Sequence, residues 1–447
     1  MKKIIIGDVL ESLKSLPNES VQMCVTSPPY WGLRDYGTAK WDGGDPNCDH
    51  LYQTGGTRSR RVGGKKVANA SLTPDSKTQP AFKQYSDICK KCGAKRIDDQ
   101  IGLEKTPEEY VQHLVEIFRE VRRVLRPDGV VWLNLGDSYA GGGRAGKDGI
   151  QKWGGLEKDR EDIVYAPPTG KLKGIKAKDL VGIPWMTAFA LRADGWYLRS
   201  DVIWHKPNPM PESVTDRCTK SHEYIFLLTK SARYYYDAEA IKEDGLTLRK
   251  RVRPNGIGNQ ENKKQPMGFD NSCGASGSRN KRSVWDISTK PYHGAHFATF
   301  PPELPALCIL AGTSEKGSCS KCGKPWVREI KKSRKATRPG KNSKFGTQES
   351  DVRCHGSETS GLLKRVLVVG ETTGWKPTCN CNADVVPCVV LDAFAGSGTT
   401  LSVAKILGRD YIGIELNPQY LPLMERRIQE AKEVKYIERL NGNHKDG

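Results

Sequence analysis

The chain has 447 residues, with 71 Lys and Arg against 52 Asp and Glu, for a formal net charge of +19. That length exceeds the usual reach of one hydrophobic core, so a core with large insertions, or a second domain, is expected. No apolar run approaches the roughly 18 residues of a spanning helix, which argues against a helical membrane protein, and the basic balance points to a polyanionic partner.

Residues 1–8 are basic then apolar, too short in apolar length for a secretory signal, and read as a first strand, with Gly7-Asp8 at its end. A second apolar run, 21–25, stops at Thr26-Ser27-Pro28-Pro29-Tyr30-Trp31. Thr106 caps a helix with Pro107 at its first position and Glu109 three residues after the cap. Tyr110, Leu114, Ile117, Val121 and Leu125 line its apolar face; residues 126–129 are expected to end it, with 130–135 a buried strand. A helix over 184–193 stops at Gly195 and feeds a strand at 196–204, and 224–228 is another strand. Near the C-terminus, 389–392 is a short strand, 393–400 a Gly-rich turn opening a helix that Gly408 stops, and 411–414 a strand ending at Glu415. Helices alternating with short apolar strands predict an α/β fold: a Rossmann-like, mainly parallel sheet covered on both faces. Four polar stretches break the rhythm: 34–100, 140–178, 246–283 and 313–387.

Two of these segments carry chemistry. The paired prolines hold φ near about −65° and remove two amide donors, leaving stiff backbone with free carbonyls. The Ser27 hydroxyl and the Pro28 carbonyl would then accept from one amino group, with Tyr30 and Trp31 as stacking faces; a strand running into a turn with buried aromatics is the plainer alternative. The Gly-rich turn is no triphosphate loop, because no Lys precedes Thr399 or Thr400. It is no dinucleotide loop either, since Leu401 stands where a third glycine belongs. With an acidic residue about 20 positions past its glycines, it suits an adenosine without phosphate.

Together these residues resemble the S-adenosylmethionine-dependent DNA amino-methyltransferases, the cytosine-N4/adenine-N6 family. Catalytic motif first and cofactor motif last is similar to the circularly permuted order of that family's β class. Gly7-Asp8, residues 204–211, 222–226 and 296–301 resemble further family segments, and the matching pieces cover roughly half the chain. The resemblance implies Ser27, Pro28, Pro29 and Tyr30 at a flipped base. It also implies Asp8, Phe300, Asp392, Phe394, Gly396, Gly398, Thr399 and Glu415 around the cofactor. A turn or capping role is the alternative for each. It divides the chain into a catalytic half (1–33 and 101–245, with 140–178 as a loop insertion), an insertion (34–100), a candidate target-recognition region (246–284), a cofactor-side segment (285–312), a second insertion (313–387) and a cofactor-binding half (388–447). A cytoplasmic enzyme of prokaryotic or phage origin is implied, with DNA as partner and an accompanying restriction endonuclease as a candidate one; oligomeric state is left open. Ser before Pro-Pro-Tyr leans to cytosine N4, with adenine N6 as the alternative.

The 13 cysteines should mostly be reduced in such a compartment. Cys48, His50, Cys89 and Cys92 make one group of four ligands, and Cys319, Cys322, Cys379 and Cys381 another, each in two closely spaced pairs that suit a closed structural zinc site. Cys354-His355 rivals the last pair, and free thiols in loops are the alternative for either group. Pro387-Cys388 is similar to the nucleophile of carbon-5 cytosine methylation. Cys388, however, begins its strand, about 13 Å from the C-terminal end, whereas ligands of open α/β sheets bind at the C-terminal ends. Carbon-5 chemistry is therefore not expected. Five basic clusters (58–66, 171–178, 249–253, 279–282 and 331–338) read as phosphate contacts. Three competing functions remain: methylation of an RNA or protein amine, a non-catalytic zinc-containing nucleic-acid binder, and a fused nuclease, for which no metal-carboxylate motif stands out.

Overall fold

The computed structural model describes residues 2–32, 38, 40–50, 52–53, 61–62, 65–66, 83–84, 88–140, 174–244, 278–290, 299–336 and 366–431. The chain divides into two compact units, Met1–Pro28 with Val111–Asp137 and Gly182–Gly447, and Pro29–Tyr110 with Ser138–Val181.

The first unit holds an eight-stranded sheet of β1 (Lys2–Ile6), β2 (Val21–Thr26), β3 (Leu125–Leu135), β4 (Tyr197–His205), β5 (His222–Thr229), β6 (Val284–Asp286), β7 (Val389–Asp392) and β8 (Asp410–Glu415). Its spatial order is β1-β8-β7-β2-β3-β5-β4-β6. Neighbours are parallel except at β5, which runs antiparallel to both β3 and β4. β7, late in the chain, sits between β8 and β2, so both ends of the sequence build the centre of one sheet. The central strands are apolar throughout because helices cover both faces. Toward one face, α4 (Glu303–Gly312), α5 (Thr399–Ile406) and α6 (Leu421–Gln429) join Met23, Trp132 and Val390 in one buried cluster. The alternate side chains of β3, Val131, Leu133 and Leu135, are buried too.

α1 (Val9–Lys14), α2 (Pro107–Val124) and α3 (Ile183–Ala193) complete the helices used below. Arg123 of α2 donates to the Leu13 and Leu16 carbonyls, fastening α2 to the end of α1. At the start of α2 the cap is reciprocal but shifted. Thr106 Oγ1 accepts the Glu109 N–H at 3.2 Å, while Glu109 reaches back to the Lys105 N–H at 3.0 Å.

One expectation needs correction. Leu125 does not belong to the helix face: α2 ends at Val124 and β3 starts at Leu125, with residues 126–129 a bulge over which β3 advances five positions while β2 advances two. Gly129 permits it, since a Cβ there would lie 2.7 Å from the Gln22 carbonyl oxygen. Within 313–387, Trp326–Ala336 pairs antiparallel with Val366–Pro377. The hairpin is tied to the sheet unit by Arg328, which pairs with Asp237 and Glu315 and lies over the Trp375 ring.

In the second unit, Lys40–Asp42 pairs antiparallel with Lys95–Ile97. Trp31 donates to the Glu104 carbonyl, and Tyr110 Oη to the Pro29 carbonyl at 2.9 Å. Among the described residues no helix is long and apolar enough to cross a membrane.

One side chain locks the two halves of the sequence together. Thr26 Oγ1, at the end of β2, donates to Asp392 Oδ1 of β7 at 2.7 Å and accepts the Phe394 N–H at 3.2 Å. Thr26 is fully buried, and Asp392 is nearly so. Thr26→Val keeps the shape but removes one of the two donors to the buried Asp392 Oδ1, the Phe394 N–H remaining, so a loss of about 1–3 kcal/mol is expected, read as a lower urea midpoint. An unchanged midpoint would show that water replaces the hydroxyl.

Candidate active site

All five strands from β1 to β3 in spatial order point the same way, so their C-terminal ends share one edge, where ligands of open α/β sheets bind. The sequence delivers Asp8 just beyond β1, Ser27 and Pro28 beyond β2, Asp392 at the end of β7 and Glu415 at the end of β8. All of these belong to the first unit; Pro29 and Tyr30 open the second.

The Gly-rich turn is shaped by conformation and by Glu415. Gly396 and Gly398 take φ of +52° and +74°, the left-handed region that other residues rarely adopt. Gly398 caps α5, and a Cβ there would come 3.0 Å from Met424 Cγ. Glu415 accepts the Gly396 N–H on Oε2 at 2.8 Å and the Asn417 N–H on Oε1 at 2.9 Å. Each carboxylate oxygen has two lone pairs, so both retain acceptor capacity. Burial pushes the Glu415 carboxyl up, and the two N–H bonds and the Leu416 N–H oppose it. Burial likewise raises Asp392, against the Thr26 hydroxyl and the Phe394 N–H. Two buried carboxylates beside a glycine turn would repel a phosphate and suit a neutral or cationic ligand with hydroxyls to donate.

Other candidates have quieter surroundings. Asp8 caps α1, accepting the Glu11 N–H at 2.9 Å, and is brought beside Glu415 by the bond from Gly7 N–H to the Glu415 carbonyl. Phe300 is half-buried against the core just before α4. Thr399 faces Ser397, whose hydroxyl accepts from Arg427 at 2.7 Å. Phe394 contributes its N–H to the Thr26–Asp392 link. Thr26, Asn417 and Arg427 escape the sequence reading; only Asn417, preceding Pro418 as a cap residue does, left a local signal. Cys388 lies just before β7, at the opposite edge from Asp392, and is buried with its thiol on the Ser314 carbonyl.

Both ligand groups assemble. In each, all four donor atoms lie within 4.8 Å of one another. In the second unit Cys48 Sγ is 3.8 Å from Cys89 Sγ, and Cys92 Sγ is 3.4 Å from His50 Nδ1. A tetrahedral ion with metal–sulfur bonds of about 2.3 Å and metal–nitrogen bonds of about 2.0 Å requires edges of roughly 3.5–3.8 Å. The spacing therefore fits zinc. Trp41 stacks on the His50 ring at 4.3 Å and fixes its plane. In the first unit the Cys319–Gly323 turn docks on the sheet through Arg126, which donates to the Cys322 carbonyl. There the Cys322 N–H draws the Cys319 thiol down to about 6, against desolvation, toward the thiolate that metals bind. Cys24 and Cys308 are buried in β2 and α4, Cys218 is exposed, and Cys273 and Cys354-His355 lie outside the described residues.

Of the basic clusters, 249–253 lies outside the described residues, as does most of the candidate recognition region. Arg279 and Arg282 both grip Glu243, with Lys281 at 3.7 Å, so this cluster has a structural anchor. Lys331 and Lys332 are exposed on the hairpin.

A family model described as DNA methylase, of the N6/N4 type, matches residues 21–319 and 388–426. The unmatched interval between them, 320–387, holds both strands of the long hairpin and the Cys379–Cys381 pair. The chain is 35% identical to the Type II methyltransferase M.SmaI of Serratia marcescens over 95% of its own length and 90% of that protein. It is 34% identical to M.Cfr9I of Citrobacter freundii over 95% and 86%. With M.SfiI of Streptomyces fimbriatus it shares 32% identity over 94% and 89%. The chain belongs to the N6/N4 DNA methylase family: it is an S-adenosylmethionine-dependent DNA amino-methyltransferase.

Proposed function

We propose that this enzyme methylates N4 of cytosine at a specific DNA site, with Ser27, Pro28, Pro29 and Tyr30 forming the base site. The observation that carries the site assignment is the Thr26 link, which holds the start of the Ser-Pro-Pro-Tyr segment against the glycine turn's strand. An exocyclic amine donates its lone pair to the ring and is a poor nucleophile while planar. Ser27 Oγ and the Pro28 carbonyl accept hydrogen bonds from its two N–H groups and favour the pyramidal nitrogen of the transition state over the planar ground state. Tyr30 stacks on the base, which must leave the duplex to be reached. Glu415 receives the ribose hydroxyls, Gly396, Gly398, Phe394, Thr399 and Asp392 line the turn, Asp8 flanks the adenine and Phe300 the methionine part. When bound, S-adenosylmethionine supplies a methyl group to the amine nitrogen, leaving a neutral thioether while the nitrogen sheds one proton to water. The catalytic segment preceding the cofactor segment supports the permuted β class. The lean to cytosine rests on serine, a weaker acceptor than the aspartate commoner among adenine-N6 enzymes.

Two zinc ions, one in each ligand group, order the inserted segments, which are too polar to fold on apolar burial alone. The basic clusters neutralise DNA phosphates. The Type II names of the relatives support a restriction endonuclease of the same site as a partner.

Four outcomes are expected. DNA from a methylation-free host expressing the gene, digested to nucleosides for mass spectrometry, should contain N4-methylcytosine. N6-methyladenine alone would overturn the base but not the reaction, and 5-methylcytosine would overturn both. Ser27→Ala and Tyr30→Ala should each lower turnover at least about a hundredfold with cofactor affinity nearly unchanged; parallel losses would move these residues to the cofactor. Metal analysis should find about two zinc ions per chain, falling to one on Cys89→Ser or Cys322→Ser. Log affinity for DNA should fall steeply and linearly with log salt, and a flat plot would give the charge another purpose.

A further inference from the structure

A polar row crosses one face of the sheet at the edge that carries Ser27. Just beneath it, Val25, Trp132, Ile225 and Trp204 form part of the buried apolar cluster, one from each of β2, β3, β5 and β4. Side chains alternate along a strand, so the next residues on that face are Ser27, Asn134, Glu223 and Lys206. The register agrees, with Val25 beside Trp132, Ile225 opposite Asn134 and Trp204 opposite Glu223. Asn134, Glu223 and Lys206 are joined to one another. Asn134 Nδ2 donates to Glu223 Oε2 at 3.1 Å and to the Tyr224 carbonyl at 3.2 Å, and Lys206 Nζ donates to Glu223 Oε1. Lys206 also lies 4.5 Å over the Trp204 ring.

Both partners of the Asn134 amide nitrogen are acceptors only, so the NH₂ must face β5. The amide oxygen then faces the other flank, toward β2. Asn134 is only 2% exposed, so these two bonds form in a packed layer that holds the amide in this orientation. A serine hydroxyl carries one hydrogen and two lone pairs. It can turn a lone pair to a substrate N–H only if its own hydrogen goes to another acceptor. We infer that Asn134 Oδ1 is that acceptor when the base is bound, which makes Asn134 a positioning residue for methyl transfer, locked by Glu223 and Lys206. This rests on the reading that Ser27 accepts a proton of the target amine.

The test is a double-mutant cycle between Asn134→Leu and Ser27→Ala, read as single-turnover methylation with labelled cofactor and as cofactor affinity. In the parent, Asn134→Leu should slow turnover about tenfold or more, with cofactor affinity unchanged; in the Ser27→Ala background it should cost less than about twofold, because one interaction is not lost twice. Asn134→Ala, which opens space rather than filling it, takes the place of the leucine variant should that one not fold, and cofactor binding reports the fold. Equal losses in both backgrounds, or full turnover in the parent background, would overturn the inference. Should Ser27→Ala alone leave turnover intact, the amine-site reading itself fails, a result distinct from additive losses.

Discussion

The hydroxyl of Thr26 is the interaction on which the site depends. Its donor bond to Asp392 and its acceptor bond from Phe394 join the end of β2 to the turn after β7, across 366 residues of sequence. Ser27 and Pro28 follow immediately, so their placement relative to the glycine turn is inherited from that link. Because Thr26 and Asp392 are buried, the bond forms in a low-dielectric setting where leaving either group unpaired is costly. A strand end so fixed holds the residues that follow it more tightly than a flexible loop would.

Glu415 does for the turn what Thr26 does for the strand. One oxygen holds the Gly396 N–H and the other the Asn417 N–H, so a single carboxylate fixes the turn and the approach to α6. Its raised pKa and that of Asp392 share one cause, removal from water. Two such groups make the turn's surroundings electronegative, which agrees with a sulfonium-bearing cofactor and disagrees with a nucleotide phosphate.

Away from that edge, the inserted segments are organised differently. The Cys319–Gly323 turn is docked on β3 by Arg126, and the long hairpin by Arg328. Charged hydrogen bonds to backbone and carboxylates, rather than apolar burial, attach these pieces to the sheet. That suits segments whose composition provides little to bury. The gathering of four donors in each cysteine group at ligand spacing extends the same economy of apolar residues.

Much of this was legible in the sequence, because the signals are local. Apolar runs set the buried strands, Gly408 the end of α5, Pro107 and Thr106 the start of α2, and the pairs of cysteines declare themselves by spacing alone. The Ser-Pro-Pro-Tyr and glycine-rich motifs carry their chemistry in their residue types. Other features had no local signal. Pro and Gly at 126–129 mark the end of a helix, but that β3 already begins at Leu125 and bulges there shows only across the gap, at the Gln22 carbonyl. The hairpin was hidden because its strands stabilise each other, about 40 residues apart, without a continuous apolar face. Thr26 looked like one more strand residue until Asp392 was beside it, and Asn134, Glu223 and Lys206 come from three strands that meet only in the sheet. A sequence determines which groups are available and what each can donate or accept; which of them meet is decided by strand order and register, and these are set by the burial of the whole sheet at once.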